Sequence, residues 1–243
     1  MNINTSESMN NNQPVAPVDR KAKFWGALLK GTLAGIWLGA ILFVTAGSLD
    51  WPAAWVYTGI STVDAILLLL VVSPELMRER THPKVDAKAW DRVFARLTGP
   101  LGSTVTLAVA GLDRRFGWSA QVPLAAQLAG LAVFVFGMGL VTWAMAVNNY
   151  FSLVVRIQKD RGHTVVTGGP YRYVRHPGYV GGILFQLGTP LLLGTLWALI
   201  PAGLAALLLV VRTALEDRTL LNELEGYREY AQQTRCRLLP GVW

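Results

Sequence analysis

The chain has 243 residues, of which 52% are hydrophobic and 15% charged, with a formal net charge of +7. The charged fraction is well below the ~25% of an ordinary soluble domain, and long apolar runs account for the deficit, so the chain reads as a membrane protein. A single cysteine, Cys236, excludes an internal disulfide and a multi-cysteine metal site.

Residues 1–20 are rich in Asn and Ser and poor in large apolar groups, which predicts a disordered tail. They contain no apolar core of the signal-peptide kind. The first apolar run, 24–46, is long enough to span, and its one charge, Lys30, lies near the start and can snorkel. A second span covers 51–73 and carries Asp64, expected to hydrogen-bond between helices. The third run, 99–112, has only fourteen uncharged residues and fits either a re-entrant piece or a short tilted helix. Residues 122–147 form a strong span, in which Gly130, Gly137 and Gly139 predict close helix packing. The last apolar block, 179–193 and 196–211, is broken by Gly194 and predicts a helical hairpin. The fold class is therefore all-α: a polytopic membrane helix bundle of about six, alternatively five, transmembrane segments with a C-terminal helical hairpin. Its parts are the tail (1–20), the N-terminal helices (21–147) and a C-terminal region (148–243).

Lys and Arg fall in four groups: before the first span, between the second and third, between the fourth segment and the hairpin, and in the C-terminal tail. Six crossings put all four groups on one side, and only Arg114 and Arg115 dissent. The positive-inside rule makes that side cytoplasmic, with both termini on it. The excess of positive charge is thus a cytoplasmic face and not a nucleic-acid footprint. No Gly-x-Gly-x-x-Gly follows a strand pattern, so a soluble dinucleotide-type methyltransferase fold is unsupported.

Residues 164–182, TVVTGGPYRYVRHPGYVGG, carry the chemistry. The GGP at 168–170 signals a turn, and Pro177 suits the first turn of a helix, where its missing N–H costs nothing. Arg175 and His176 then sit at a helix start, where free N–H groups suit an anion. A second polar cluster, RTALED at 212–217, places Arg212 and Glu216 on one helix face. A tight hairpin brings the two clusters together at one mouth of the bundle.

The run HTVVTGGPYRYVRHPGY at 163–179, the RTALED segment, the GYREY at 226–230 and a late LLP resemble the isoprenylcysteine carboxyl methyltransferase family, which shares its motif pattern with membrane phospholipid N-methyltransferases. The resemblance covers about the last 90 residues. It implies that S-adenosyl-L-methionine binds in the C-terminal part, on the cytoplasmic side. By the same resemblance His163, Thr164, Val165, Val166, Tyr171, His176, Pro177, Gly178, Tyr179 and Glu216 contact the cofactor, and Arg212 binds the substrate. Arg156 stands where the eukaryotic members have glutamine, and Asp217 replaces a second glutamate.

The side chains suit those roles. Glu216 can receive the cofactor's ammonium or a ribose hydroxyl. Tyr171 and Tyr179 offer rings to adenine or to the sulfonium. A carboxylate acceptor needs no general base and matches Arg212. An amine acceptor must arrive neutral, and His176 is then the candidate base. The leading expectation is carboxyl O-methylation of a lipid-like, amphipathic substrate in the bilayer, with Arg212 and His176 as the catalytic pair. The alternatives are a phospholipid or amine N-methyltransferase and, less favoured by Gly181 and Gly182, a steroid-type NADPH-dependent reductase.

Overall fold

In the computed structural model the described residues are 20–81, 87–239, 241 and 243, so all of the expected tail at 1–20 but Arg20, which opens the first helix, lies outside them, together with His82 and Lys84. Among the described residues all regular structure is helical. The long helices are α1 (Arg20–Ala46), α2 (Pro52–Val71), α6 (Leu124–Val147) and α8 (Leu199–Glu223). Between α2 and α6 come the short α3 (Pro74–Thr81), then α4 (Ala89–Pro100) and α5 (Thr106–Phe116), which are joined by a π-helical turn at Leu101–Val105. The hairpin is α7 (Pro177–Leu193) with α8, and α9 (Tyr227–Gln233) follows.

Among the described residues five helical stretches are long and apolar enough to cross a bilayer: α1, α2, the continuous Ala89–Phe116, α6 and α8. Helix α7, with 17 residues, rises about 26 Å at 1.5 Å per residue and lies against α6 and α8. The chain is a multi-pass integral membrane protein built as an α-helical bundle.

The third segment differs from the expectation of a fourteen-residue run. It is a 28-residue helix from Ala89 to Phe116. Asp91, Arg92 and Arg96 in its first part mask the span from a hydropathy reading. Pro100 removes one backbone donor, and the π-turn that follows is closed partly by Thr106 Oγ1 donating to the Leu101 carbonyl at 2.7 Å.

Pairings at the helix ends give the alternation. Lys23 Nζ at the start of α1 donates to the Leu70 carbonyl at the end of α2, 2.6 Å. Asp113 at the end of α5 accepts from the Ser119 and Trp197 N–H groups. Lys88, just before α4, meets Glu223 at the end of α8 at 2.7 Å. The dissenting Arg114 and Arg115 therefore lie at the end of the bundle opposite the mouth where the two polar motifs sit, with Arg115 beside Gly47.

Glycine makes the α6–α7 contact. A Cβ on Gly181 would stand 2.5 Å from the Gly137 carbonyl oxygen, and one on Gly130 2.5 Å from the Leu192 nitrogen. The two backbones thus approach as closely as small residues allow. Gly139 is different: it faces open space, so it takes no part in this packing. Asp64 behaves as expected, accepting from Thr142 Oγ1 of α6 at 3.0 Å. The central core joins Leu42, Tyr57, Leu107, Phe134 and Leu192 from α1, α2, α5, α6 and α7.

Candidate active site

The chain between α6 and α7 crosses the bundle mouth as an ordered loop. Buried Gln158 ties it, with Nε2 donating to the Tyr150 carbonyl at 2.7 Å. The Gln158 N–H donates to His163 Nδ1 at 3.3 Å, so the imidazole proton sits on Nε2. The His163 ring lies against Tyr150 with centroids 4.4 Å apart. Burial, then the charges of Arg156 and Arg161, push the His163 pKa down to about 4, so the ring is neutral.

The expected turn at 168–170 appears as a 3₁₀ turn, Gly169–Arg172, and Pro177 opens α7 with His176 as its N-cap. The N–H groups of Arg175 and His176 donate to the carbonyls of Cys236 (2.9 Å) and Arg237 (3.0 Å). These two donors, expected to face an anion, are taken up by the C-terminal segment. That segment caps the hairpin: the Arg175 guanidinium also donates to the Thr234 and Arg235 carbonyls.

One carboxylate organises the mouth. Asp217 is fully buried and accepts from Arg175 Nε (2.8 Å) and Nη2 (2.9 Å), Arg237 Nε (2.7 Å), Tyr227 Oη (3.0 Å) and His176 Nε2 (3.2 Å). The hairpin thus brings the two motifs together as the sequence predicts. One residue earlier, Glu216 accepts from Tyr179 Oη. Asn148 Nδ2 donates to Tyr171 Oη at 3.0 Å, and Tyr230 Oη to the Tyr171 carbonyl at 2.8 Å. Burial raises the Tyr171 pKa, keeping the phenol neutral.

Arg212 has a protein partner. Its Nε donates to Asp91 Oδ1 at 2.6 Å and its Nη2 to Oδ2 at 3.0 Å, while Nη2 also reaches the Leu153 carbonyl at 2.6 Å. Asp91 is fully buried and accepts the Val155 N–H as well, at 2.6 Å. The guanidinium lies over the Tyr179 ring, 5.7 Å from its centroid. Arg156 is likewise held by Glu79 (2.7 Å) and Asp160 (3.0 Å).

A single cavity joins these groups. It is lined by His163, Thr164, Val165, Val166, Tyr171, His176, Gly178, Tyr179, Arg212 and Glu216, which are all the predicted site residues but Pro177. Pro177 is buried in the first turn of α7. Gly178 lies against Phe151, which a Cβ there would strike. The sequence reading missed Arg80, Tyr150, Phe151 and Asp91, which come from outside the two motifs. Asp91 left little signal, because Lys88 three residues earlier and Arg92 beside it are nearer candidate partners in the sequence. Among the described residues no cluster of His, Cys, Asp and Glu could hold a metal.

Similarity to known proteins falls in this region. Residues 130–222 match the model of the isoprenylcysteine carboxyl methyltransferase (ICMT) family. A protein-S-isoprenylcysteine O-methyltransferase of Schizosaccharomyces pombe is 41% identical over 69 residues, 28% of this chain and 29% of the relative. The Homo sapiens protein of that name is 40% identical over 68 residues, 28% of this chain and 24% of the relative. The Saccharomyces cerevisiae one is 32% identical over 109 residues, 44% and 43% of the two chains. The chain thus aligns with less than half the length of these relatives.

Proposed function

We propose, from the match of residues 130–222 to the isoprenylcysteine carboxyl methyltransferase family, that this chain is an integral membrane S-adenosylmethionine-dependent methyltransferase. Its acceptor is the carboxylate of an amphipathic, prenyl-type molecule. The observation that carries the reading is the convergence, on one cavity at the end of the bundle, of the residues from both motifs.

The cavity fits a sulfonium donor. Glu216 is an anion with Tyr179 as its hydrogen-bond donor and no cation paired to it among the described residues, so it can receive the amino-acid ammonium or a ribose hydroxyl. The Tyr171 and Tyr179 rings can stack or make cation–π contact. The 163–166 backbone lines the wall where an adenine edge can pair, and neutral His163 keeps positive charge away from it. When bound, S-adenosylmethionine supplies an electrophilic methyl group. The protein then has mainly to position the acceptor.

His176 holds a fixed place in the cavity wall. Its Nε2 is committed to Asp217 and lies 3.4 Å from Tyr227 Oη, which fixes the ring in place. A carboxylate brings no proton to remove. Clamped Arg212 and His176 therefore form a rigid wall around the reacting group.

The cation-rich mouth faces the cytoplasm in this reading. In a Cys236→Ser background, Lys159→Cys should label only from the cytoplasmic side and Ser48→Cys only from the other. The activity test uses purified protein in detergent with S-adenosylmethionine labelled at the methyl group. N-acetyl-S-farnesylcysteine should gain a base-labile methyl ester, and phosphatidylethanolamine should gain none. Methylation of the lipid amine alone would replace the carboxylate reading by an N-methyltransferase.

A further inference from the structure

Charge pairing on the cavity wall leaves two side chains over. Arg156 is held by Glu79 and Asp160, Arg175 and His176 by Asp217, and Arg212 by Asp91. Arg80 and Glu216 line the same cavity, and among the described residues neither is paired with an opposite charge. They are of opposite sign. Glu216 suits the donor's ammonium, which leaves a cation for a second, anionic guest.

Arg80 projects from α3, in the N-terminal half, far in sequence from both motifs. Its Nη1 is buried without a hydrogen-bond partner. A buried charged donor in that state is unfavourable until an acceptor arrives. The guanidinium lies 5.8 Å from the centroid of the Phe151 ring, another part of the cavity wall. Burial and the nearby Arg212 lower its pKa to about 10, so it stays charged at neutral pH. Arg80 and Arg212 line the same cavity. Arg212 itself already has Nε and Nη2 committed to Asp91 and the Leu153 carbonyl.

We propose that Arg80 binds the carboxylate of the methyl acceptor, with Asp91-neutralised Arg212 forming the wall beside it. The assignment rests on the methyltransferase reading above and names the residue that gives that site its preference for an acid. An arginine with free N–H groups offers a carboxylate two parallel charge-assisted hydrogen bonds. A guanidinium already bidentate to aspartate offers far less.

The test uses the full chain in detergent, N-acetyl-S-farnesylcysteine and its carboxamide, with Arg80→Gln and Arg80→Lys. In Arg80→Gln the KM for the acid should rise about tenfold or more, the scale of losing a charge-assisted contact, with kcat changed much less. The carboxamide's inhibition constant and the affinity for S-adenosylhomocysteine should stay within about twofold, since neither carries the acceptor's carboxylate. Arg80→Lys should fall between, and it decides the matter if Arg80→Gln does not fold. An undiminished preference for acid over carboxamide in both variants overturns the proposal. So does a parallel loss of S-adenosylhomocysteine affinity, which would assign Arg80 to the donor's own carboxylate. If the wild-type protein forms no ester at all, the methyltransferase reading falls, and this assignment with it.

Discussion

Two buried aspartates hold side chains that line one cavity, and they do it differently. Asp217 sits at the hub of the C-terminal region: Arg175, His176, Tyr227 and Arg237 all come from the hairpin and the tail beyond it. Asp91 reaches across the molecule, from α4 in the N-terminal half to Arg212 in α8 and to the loop at Val155. The first builds a self-contained site region out of residues close in sequence. The second fastens that region to the membrane helices that precede it. A site can thus be local in its motif and still depend on a distant half for its geometry.

The sharpest way to break the comparison is Asp217→Ala. It leaves two guanidinium groups and an imidazole without their common acceptor at a fully buried position. Breaking a buried ion pair costs about 3–5 kcal/mol. We expect a loss in that range, read as a large fall in the thermal midpoint in detergent, together with loss of S-adenosylhomocysteine binding. A small loss would mean that the C-terminal backbone caps on Arg175 and His176, not the carboxylate, hold the hub.

Asp91→Ala comes next. It strands one guanidinium and one backbone N–H, for a cost of about 3 kcal/mol at the lower end of the same range. The informative partner is the double variant Asp91→Leu with Arg212→Met. Replacing a buried ion pair by apolar residues of similar volume is often close to neutral. The double variant should therefore recover most of the stability while methyl transfer stays impaired. If it is as unstable as Asp91→Ala, Asp91 supports the loop at Val155 more than it supports Arg212.

The same contrast explains what the sequence could say. Arg175, His176, Tyr179, Glu216 and Asp217 lie in two dense motifs, and the short loop at Gly194 forces their hairpin arms together. Proximity there follows from chain geometry. The third helix stayed hidden because a hydropathy reading penalises Asp91, Arg92 and Arg96. Their charges fit at the membrane edge only because Asp91 finds Arg212, 121 residues later. Arg80 was legible only as one of several basic residues at a membrane edge. Its buried, unpartnered Nη1 is a product of tertiary packing that no local pattern reports. Gly139, in a run with Gly130 and Gly137, shows the converse: identical residues on one helix, of which only some face a neighbour.

Within the hub's own wall, Glu216→Gln keeps shape and removes charge. It should weaken S-adenosylhomocysteine binding by about 1–3 kcal/mol, the range for a lost charge-assisted hydrogen bond. Calorimetry reads that as a roughly 5- to 150-fold rise in Kd, with the thermal midpoint of the ligand-free protein little changed. A shift in stability without a shift in Kd would make Glu216 a partner of Tyr179 only.

The smallest effect belongs to the loop that closes the cavity. His163 is neutral, with its pKa lowered from an ordinary 6.5 to about 4 by burial and by Arg156 and Arg161. In the unfolded chain its pKa is near 6.5. Between those two values the unfolded state binds more protons than the folded one, so stability rises with pH. Acidification from pH 6.5 towards 4 should therefore lower the thermal midpoint of the wild-type protein more than that of His163→Gln, whose side chain does not titrate. The difference between the two proteins isolates this group from the carboxylates that titrate in both. Bound S-adenosylhomocysteine should sharpen the contrast, because a cation at His163 faces the wall where the adenosine is expected. Parallel midpoints across that pH range would mean that the imidazole is solvated and that the loop does not close against the cavity.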